Sequence, residues 1–210
     1  AGFNAFVLRY SVKPSVFPVA LLEAADAMTM IREHAAEWHV DPDAIAVIGF
    51  SAGGHLAANL ATSTSDDILV AHGYDPDAVR PNGLMLAYPV ITSGPLAHRG
   101  SFDSLLGERR NDSQALESVS IERHIDAKTP PVFAWHTVPD ETVPYENTLM
   151  LIDACKKAGV SIEAHLFPQG GHGLSLGTAE TAWQGVNGIE PSIQIWPQLA
   201  VSWMHRTFAR

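Results

Sequence analysis

The chain is poor in cysteine, in cationic residues and in long apolar runs, and each shortage closes off a class of protein. It holds one cysteine, Cys155, so no disulfide forms within these 210 residues and the fold does not depend on an oxidising compartment. Lysine and arginine number 13 against 23 acidic residues, a formal net charge of −10. Such a surface repels phosphate backbones and anionic membranes, so nucleic acid is not an expected partner. No apolar stretch approaches the roughly 20 residues of a membrane-spanning helix, so no membrane is expected either. There is no Cys/His cluster and no His-Glu-x-x-His spacing, and hence no metal or other cofactor is expected. The chain opens Ala1-Gly2-Phe3 without an initiator Met or a basic-then-apolar leader. The cytoplasm is therefore the expected compartment. An apolar run begins almost at once, and the expectation is that an upstream segment is absent.

What is present alternates between two periodicities. Residues 4–11 are short and apolar between Gly2 and Pro14, which predicts a buried strand. Over 18–38, Leu21, Ala25, Met28, Ile31 and Ala35 recur at spacings of three and four, which predicts an amphipathic helix. Asp41-Pro42-Asp43 reads as a turn. Strands are predicted over 44–50, 83–90, 131–136 and 161–167, and helices over 52–61, 146–158 and 193–208. Cys155 falls with Leu149 and Ile152 on one helical face, as a buried structural thiol would. Apolar strands alternating with helices predict an α/β fold, a mainly parallel sheet covered on both faces. Length favours one domain over 1–210, incomplete at its amino end. Insertions are expected at about 92–129 and 174–191, both emerging at the carboxyl end of the sheet, where such folds bind ligands.

The strongest local signal is Gly49-Phe50-Ser51-Ala52-Gly53. The pattern Gly-x-Ser-x-Gly is common by itself. Here a strand runs straight into Gly49 and helix-forming residues follow Gly53, which places Ser51 on a strand-to-helix turn. Such a turn strains the backbone and lifts the hydroxyl above the sheet. The Ala52 N–H, at the helix start, is then an oxyanion donor. Read without chemistry, the same residues are a Gly-rich turn packing a strand on a helix.

A serine nucleophile needs a base, and the base needs an orienting carboxylate. In this fold they follow in the order Ser, acid, His. Of ten histidines, His172 alone lies in a Gly-rich loop after a late strand, Pro168-Gln169-Gly170-Gly171-His172-Gly173. His136, at the end of a strand, is its rival, but it precedes the candidate acids. Those are Asp140 and, second, Glu141, in the loop after the 131–136 strand. Tyr88, Phe102 and Trp183 are candidate pocket residues, although aromatic residues after strands more often belong to a core. The chemistry these groups support is acyl transfer, with Ser51 attacking an ester carbonyl.

Several runs together carry a family likeness. Gly49-Phe50-Ser51-Ala52-Gly53-Gly54-His55-Leu56-Ala57, Trp135-His136-Thr137 ahead of Asp140, Val143-Pro144 behind it, and Gly170-Gly171-His172-Gly173 are its main elements. Phe6-Val7-Leu8-Arg9-Tyr10-Ser11, Ser101-Phe102 with Leu105-Leu106-Gly107, and Thr129-Pro130-Pro131 add to it. The chain resembles bacterial α/β-hydrolases of the acetyl esterase and acetylxylan-esterase-like kind, related to feruloyl-esterase-like and hormone-sensitive-lipase-like groups. The likeness runs along essentially the whole chain. It implies an α/β-hydrolase fold, a triad at Ser51, Asp140 and His172, and a small-molecule or carbohydrate ester as substrate. One departure stands out. The family's Gly-rich loop upstream of the segment matching 4–11, which supplies the second oxyanion donor, has no match here. The resemblance therefore implies that early strands are missing, that half the oxyanion hole lies outside this chain, and that a sheet edge is exposed. Two other functions fit the same residues: a peptidase of the prolyl-oligopeptidase type, and a catalytically weak binding module that keeps the turn.

Overall fold

The computed structural model describes residues 2–183 and 187–209. Its centre is a four-stranded sheet of β1 (Ala46–Phe50), β2 (Gly83–Ala87), β3 (Val132–Thr137) and β4 (Ile162–Phe167). The strands lie side by side in chain order and all are parallel, with Ala46 opposite Gly83, Leu84 opposite Val132, and Val132 opposite Ile162. Parallel order requires a crossover after every strand, and helices supply it. Around the sheet stand α1 (Val19–Glu33), α2 (Ala52–Ala61), α3 (Asp66–Ala71), α4 (Pro76–Val79), α5 (Arg99–Leu106), α6 (Ser113–Ser118), α7 (Glu146–Ala158) and α8 (Trp196–Thr207).

The period of two along each strand divides the core. Leu84, Leu86, Val132 and Ala134 face Ala57, Ala58 and Ala61 of α2 and Leu151 and Cys155 of α7. Met85, Ala87, Phe133 and Trp135 face Trp196, Ala200 and Trp203 of α8. Both faces are therefore covered, as the continuous apolar strands require. Cys155 is fully buried, and burial pushes its thiol up to about 12. A third cluster joins Leu21, Ala25 and Met28 of α1 to Ile45, to Leu60 of α2 and to Leu69 of α3.

The expected strand over 4–11 does not form. Residues 4–9 are exposed, Val7 to 96%, Tyr10 and Ser11 are half-buried, and none of them enters a strand pairing. A strand needs a neighbour to take its N–H and C=O groups, and among the described residues β1 pairs with β2 alone. The segment is held at its ends instead, by Asn4 Nδ2–H to the Trp38 and His39 carbonyls and by Ser11 N–H and O–H to Glu23. Boundaries also moved. The first helix stops at Glu33, five residues short of expectation, and the chain closes through turns to His39 at φ 55°. The second strand stops at Ala87 because Tyr88 turns to φ 39°. The stretch 92–129, a break in the strand–helix rhythm, holds α5 and α6, which pack Phe102, Leu106 and Ala115 against Val90 and Val143. Part of the 174–191 stretch, residues 184–186, lies outside the described residues.

Candidate active site

All four strands end at the same edge, so the turns that follow them converge there. Ser51 follows β1 at φ 53°, a conformation L-residues avoid. Its carbonyl accepts the N–H groups of Gly54, His55 and Val90, and its own N–H donates to the Ala87 carbonyl. Those bonds hold the strained turn. The turn also explains a residue choice: a Cβ on Gly49 would stand 2.2 Å from the Gly53 carbonyl oxygen. Ala52 opens α2, so its N–H has no acceptor within the helix.

His172 arrives from the loop after β4. Gly170, at φ 101°, makes the bend, and a side chain there would strike Leu174. The loop is fastened by Thr137 Oγ1–H to the Gly171 carbonyl, by Ser175 N–H to the Tyr88 hydroxyl, and by Trp196 Nε1–H to the Ser175 carbonyl. Asp140 sits in the turn after β3 and is 5% exposed. Its Oδ1 accepts the Thr142 and Val143 N–H groups, each at 2.9 Å.

The three side chains meet. Asp140 Oδ2 lies 2.6 Å from His172 Nδ1, and His172 Nε2 lies 2.7 Å from Ser51 Oγ. A carboxylate only accepts, so His172 carries its proton on Nδ1. Its Nε2 lone pair is then left for the Ser51 hydroxyl. Burial works against ionised Asp140, but hydrogen bonds from His136, His172 and the Val143 N–H outweigh it. They hold the carboxyl well below the usual range.

The other candidates are dispersed. Glu141 is exposed, and the carboxylate hydrogen-bonded to His172 is that of Asp140. His136 is fully buried and bonds Thr148, Asp140 and the Val143 carbonyl, not Ser51. Tyr88 is buried in the core, its ring edge-on to His172 with centroids 4.9 Å apart. It backs the imidazole and borders neither of the two cavities beside Ala52. Phe102 is buried against His55 and lines a cavity of about 40 Å³ with Ala52, Val90, Ser101 and Leu105. Ala52, His55, Ser101 and Leu105 also border a larger cavity of about 150 Å³ under Tyr10, Val16 and Phe17. Trp183 is 61% exposed and touches neither cavity, because its strand-like bridge to Asn187 holds it at the surface. His55, one turn into the helix after Ser51, is a residue expected from its position to pack or hydrogen-bond there, and it does both. Its Nε2–H reaches the Val119 carbonyl at 2.8 Å and ties the elbow helix to the 92–129 stretch. Among the described residues, no group of His, Cys, Asp and Glu could hold a metal ion, and no helix is long and apolar enough to cross a membrane.

Comparison with known proteins follows the same outline. The BD-FAE family model matches residues 1–154. Endo-1,4-beta-xylanase B of Butyrivibrio fibrisolvens is 33% identical over 190 residues, which cover 88% of this chain and 30% of that protein. The acetylxylan esterase of Xylanibacter ruminicola is 28% identical over 181 residues, 84% of this chain and 35% of that protein. The chain thus spans about a third of the length of these curated relatives. Among solved structures, the acetyl ester-xyloside bifunctional hydrolase from Caldicellulosiruptor lactoaceticus superposes with a TM-score of 0.79 at 36% identity, covering 95% of this chain and 70% of that one. With a family match over most of its length and the parallel sheet and turns described above, the chain belongs to the BD-FAE family of α/β-hydrolases.

Proposed function

We propose that the chain is a serine carboxylic ester hydrolase that removes short acyl groups, acetyl above all, from sugars or xylo-oligosaccharides. The observation that carries this reading is the unbroken series Ser51 Oγ, His172 Nε2, His172 Nδ1, Asp140 Oδ2, with steps of 2.7 and 2.6 Å, built on a turn at φ 53°. His172 takes the Ser51 proton as Oγ attacks the ester carbonyl. The tetrahedral oxyanion forms against the Ala52 N–H. His172 returns the proton to the departing alcohol, leaving an acyl-enzyme on Ser51. A water deprotonated by His172 then releases the acid and restores the hydroxyl. Asp140 stays ionised throughout; it holds the imidazole's tautomer and stabilises the imidazolium. The acetyl and sugar preferences draw on the relatives, two of whose names contain acetylxylan or acetyl ester.

The test combines labelling and turnover. A fluorophosphonate probe is expected to modify Ser51, and acetylated xylo-oligosaccharide and p-nitrophenyl acetate are expected to be hydrolysed. Ser51→Ala should abolish both. A folded protein that neither labels nor turns over would overturn the reading in favour of a binding module. Cleavage of a prolyl-peptide amide in preference to the acetyl esters would move it to a peptidase.

A further inference from the structure

The buried histidine at the end of β3 is not used by the series above, yet it touches it. His136 has no exposed surface. Its Nε2 lies 2.9 Å from the Val143 carbonyl oxygen and 3.2 Å from Asp140 Oδ2. A carbonyl cannot donate, so Nε2 carries the hydrogen and shares it between the two oxygens. Nδ1 is then a lone pair, and it accepts the Thr148 hydroxyl at 2.8 Å. The fold therefore dictates one neutral tautomer. A protonated ring would place a second N–H against Thr148, whose hydroxyl would have to reverse and lose its present acceptor.

Asp140 Oδ2 consequently receives two imidazole N–H groups, from His172 and from His136, while Oδ1 receives two backbone N–H groups. All four lone-pair directions of the carboxylate are occupied. The titratable groups facing this cluster are Asp140 and His172 from two loops and Tyr88 from the end of β2, whose phenol burial raises. Thr148 of α7 and Leu166, the register partner of His136 on β4, are uncharged.

We propose that His136 is a positioning residue: its Nε2–H fixes the Asp140 carboxylate and, by drawing charge from the oxygen that serves His172, sets the pH at which His172 gains its proton. The sign follows from electrostatics. Without that N–H, Oδ2 presents more negative charge to His172. The imidazolium is then bound more tightly, and the acid limb of the activity profile moves to higher pH.

This inference rests on the esterase reading, and its test separates the two. The pH profile of p-nitrophenyl acetate hydrolysis is compared for wild type, His136→Leu and His136→Gln. Gln can place an amide N–H near the Nε2 position, and Leu cannot. His136→Leu is expected to move the acid limb upward by about one pH unit and to lower kcat about tenfold with KM unchanged. His136→Gln is expected to restore most of both. A folded His136→Leu with the wild-type limb would overturn the proposal, as would a His136→Gln displaced as far as His136→Leu. If His136→Leu does not fold, nitrogen NMR of the wild-type protein decides. His136 must then remain the neutral Nε2–H form across the whole titration of His172. The Nδ1–H form, or titration alongside His172, overturns the proposal. Absence of Ser51-dependent hydrolysis in the wild type would instead defeat the esterase reading, and the NMR measurement would still decide the role of His136.

Discussion

The carboxyl-edge loops and the amino-terminal segment are both irregular backbone, but they are held in opposite ways. In the loops after β3 and β4, the groups that build the site have named partners. Asp140 alone accepts four hydrogen bonds, and the His172 loop is tied at Gly171 and twice at Ser175. Residues 4–11 carry an apolar run, Phe6 to Leu8, that lies exposed, and the segment is pinned near its ends. Apolar content alone does not bury a segment. A polar loop surrounded by matched donors and acceptors is more fixed than an apolar one with no strand beside it. The reading of the Ser51 site therefore stands on connectivity, and connectivity is what substitutions can remove.

The largest effect is expected at the most connected group. Asp140→Asn keeps the shape but replaces one acceptor oxygen with a donor. If the amide oxygen stays with the Thr142 and Val143 N–H groups, the amide nitrogen faces His172 Nδ1 and forces the other tautomer. Nε2 is then protonated and cannot take the Ser51 proton. kcat for p-nitrophenyl acetate should fall on the order of 10⁴-fold with KM little changed. A loss under tenfold would break the assignment and return Glu141 to consideration.

A smaller effect is expected from His55, which the fold keeps neutral. Burial pulls its pKa down to about 4, partly offset by its bond to the Val119 carbonyl. The unfolded chain binds that proton below about 6.5. Stability contributed by the neutral ring is therefore full above that pH and is lost as pH falls toward 4. The loss should reach about 3 kcal/mol, read by urea unfolding at a series of pH values. His55→Gln, which can still donate to Val119, should flatten that slope. Asp140 acts in the same direction at lower pH. Its folded pKa is depressed, so its contribution is present above about 4 and disappears below.

How much of this was legible beforehand follows the same division. The four observed strands and the α2 and α7 helices were readable, because buried parallel strands are continuous apolar runs and the amphipathic period is local. Ser51, Asp140 and His172 were readable as candidates because each sits in a turn whose glycines or acidic residues interrupt such a run. Residues 4–11 were misread because an apolar run does not reveal whether a neighbouring strand exists. The Asp140–His136 bond was not legible either. His136 ends β3 and Asp140 lies in the irregular turn after it, so their spacing of four carries no fixed geometry, and only the fold brings Thr148 and Val143 around the ring. Tyr88 and Trp183 looked alike as aromatic residues after strands or in loops, yet one is buried behind His172 and the other is at the surface.

The smallest effect should come from the exposed segment, and it tests the other half of the comparison. Val7 is almost wholly exposed and lies between Phe6 and Leu8, which are also exposed. On β1, Ile48 is 44% exposed in a strand paired on one side only. Unpaired strand edges with apolar side chains recruit other chains. Val7→Lys removes apolar surface that the fold does not bury, so unfolding free energy should stay within about 0.5 kcal/mol of wild type. Self-association, followed by light scattering over time at raised concentration, should fall, because a charge within an exposed apolar run opposes its pairing with another chain. A destabilisation above about 1 kcal/mol would mean that the segment is docked in solution as firmly as the loops around Ser51. The contrast between matched polar loops and an unmatched apolar one would then fail at its weaker end.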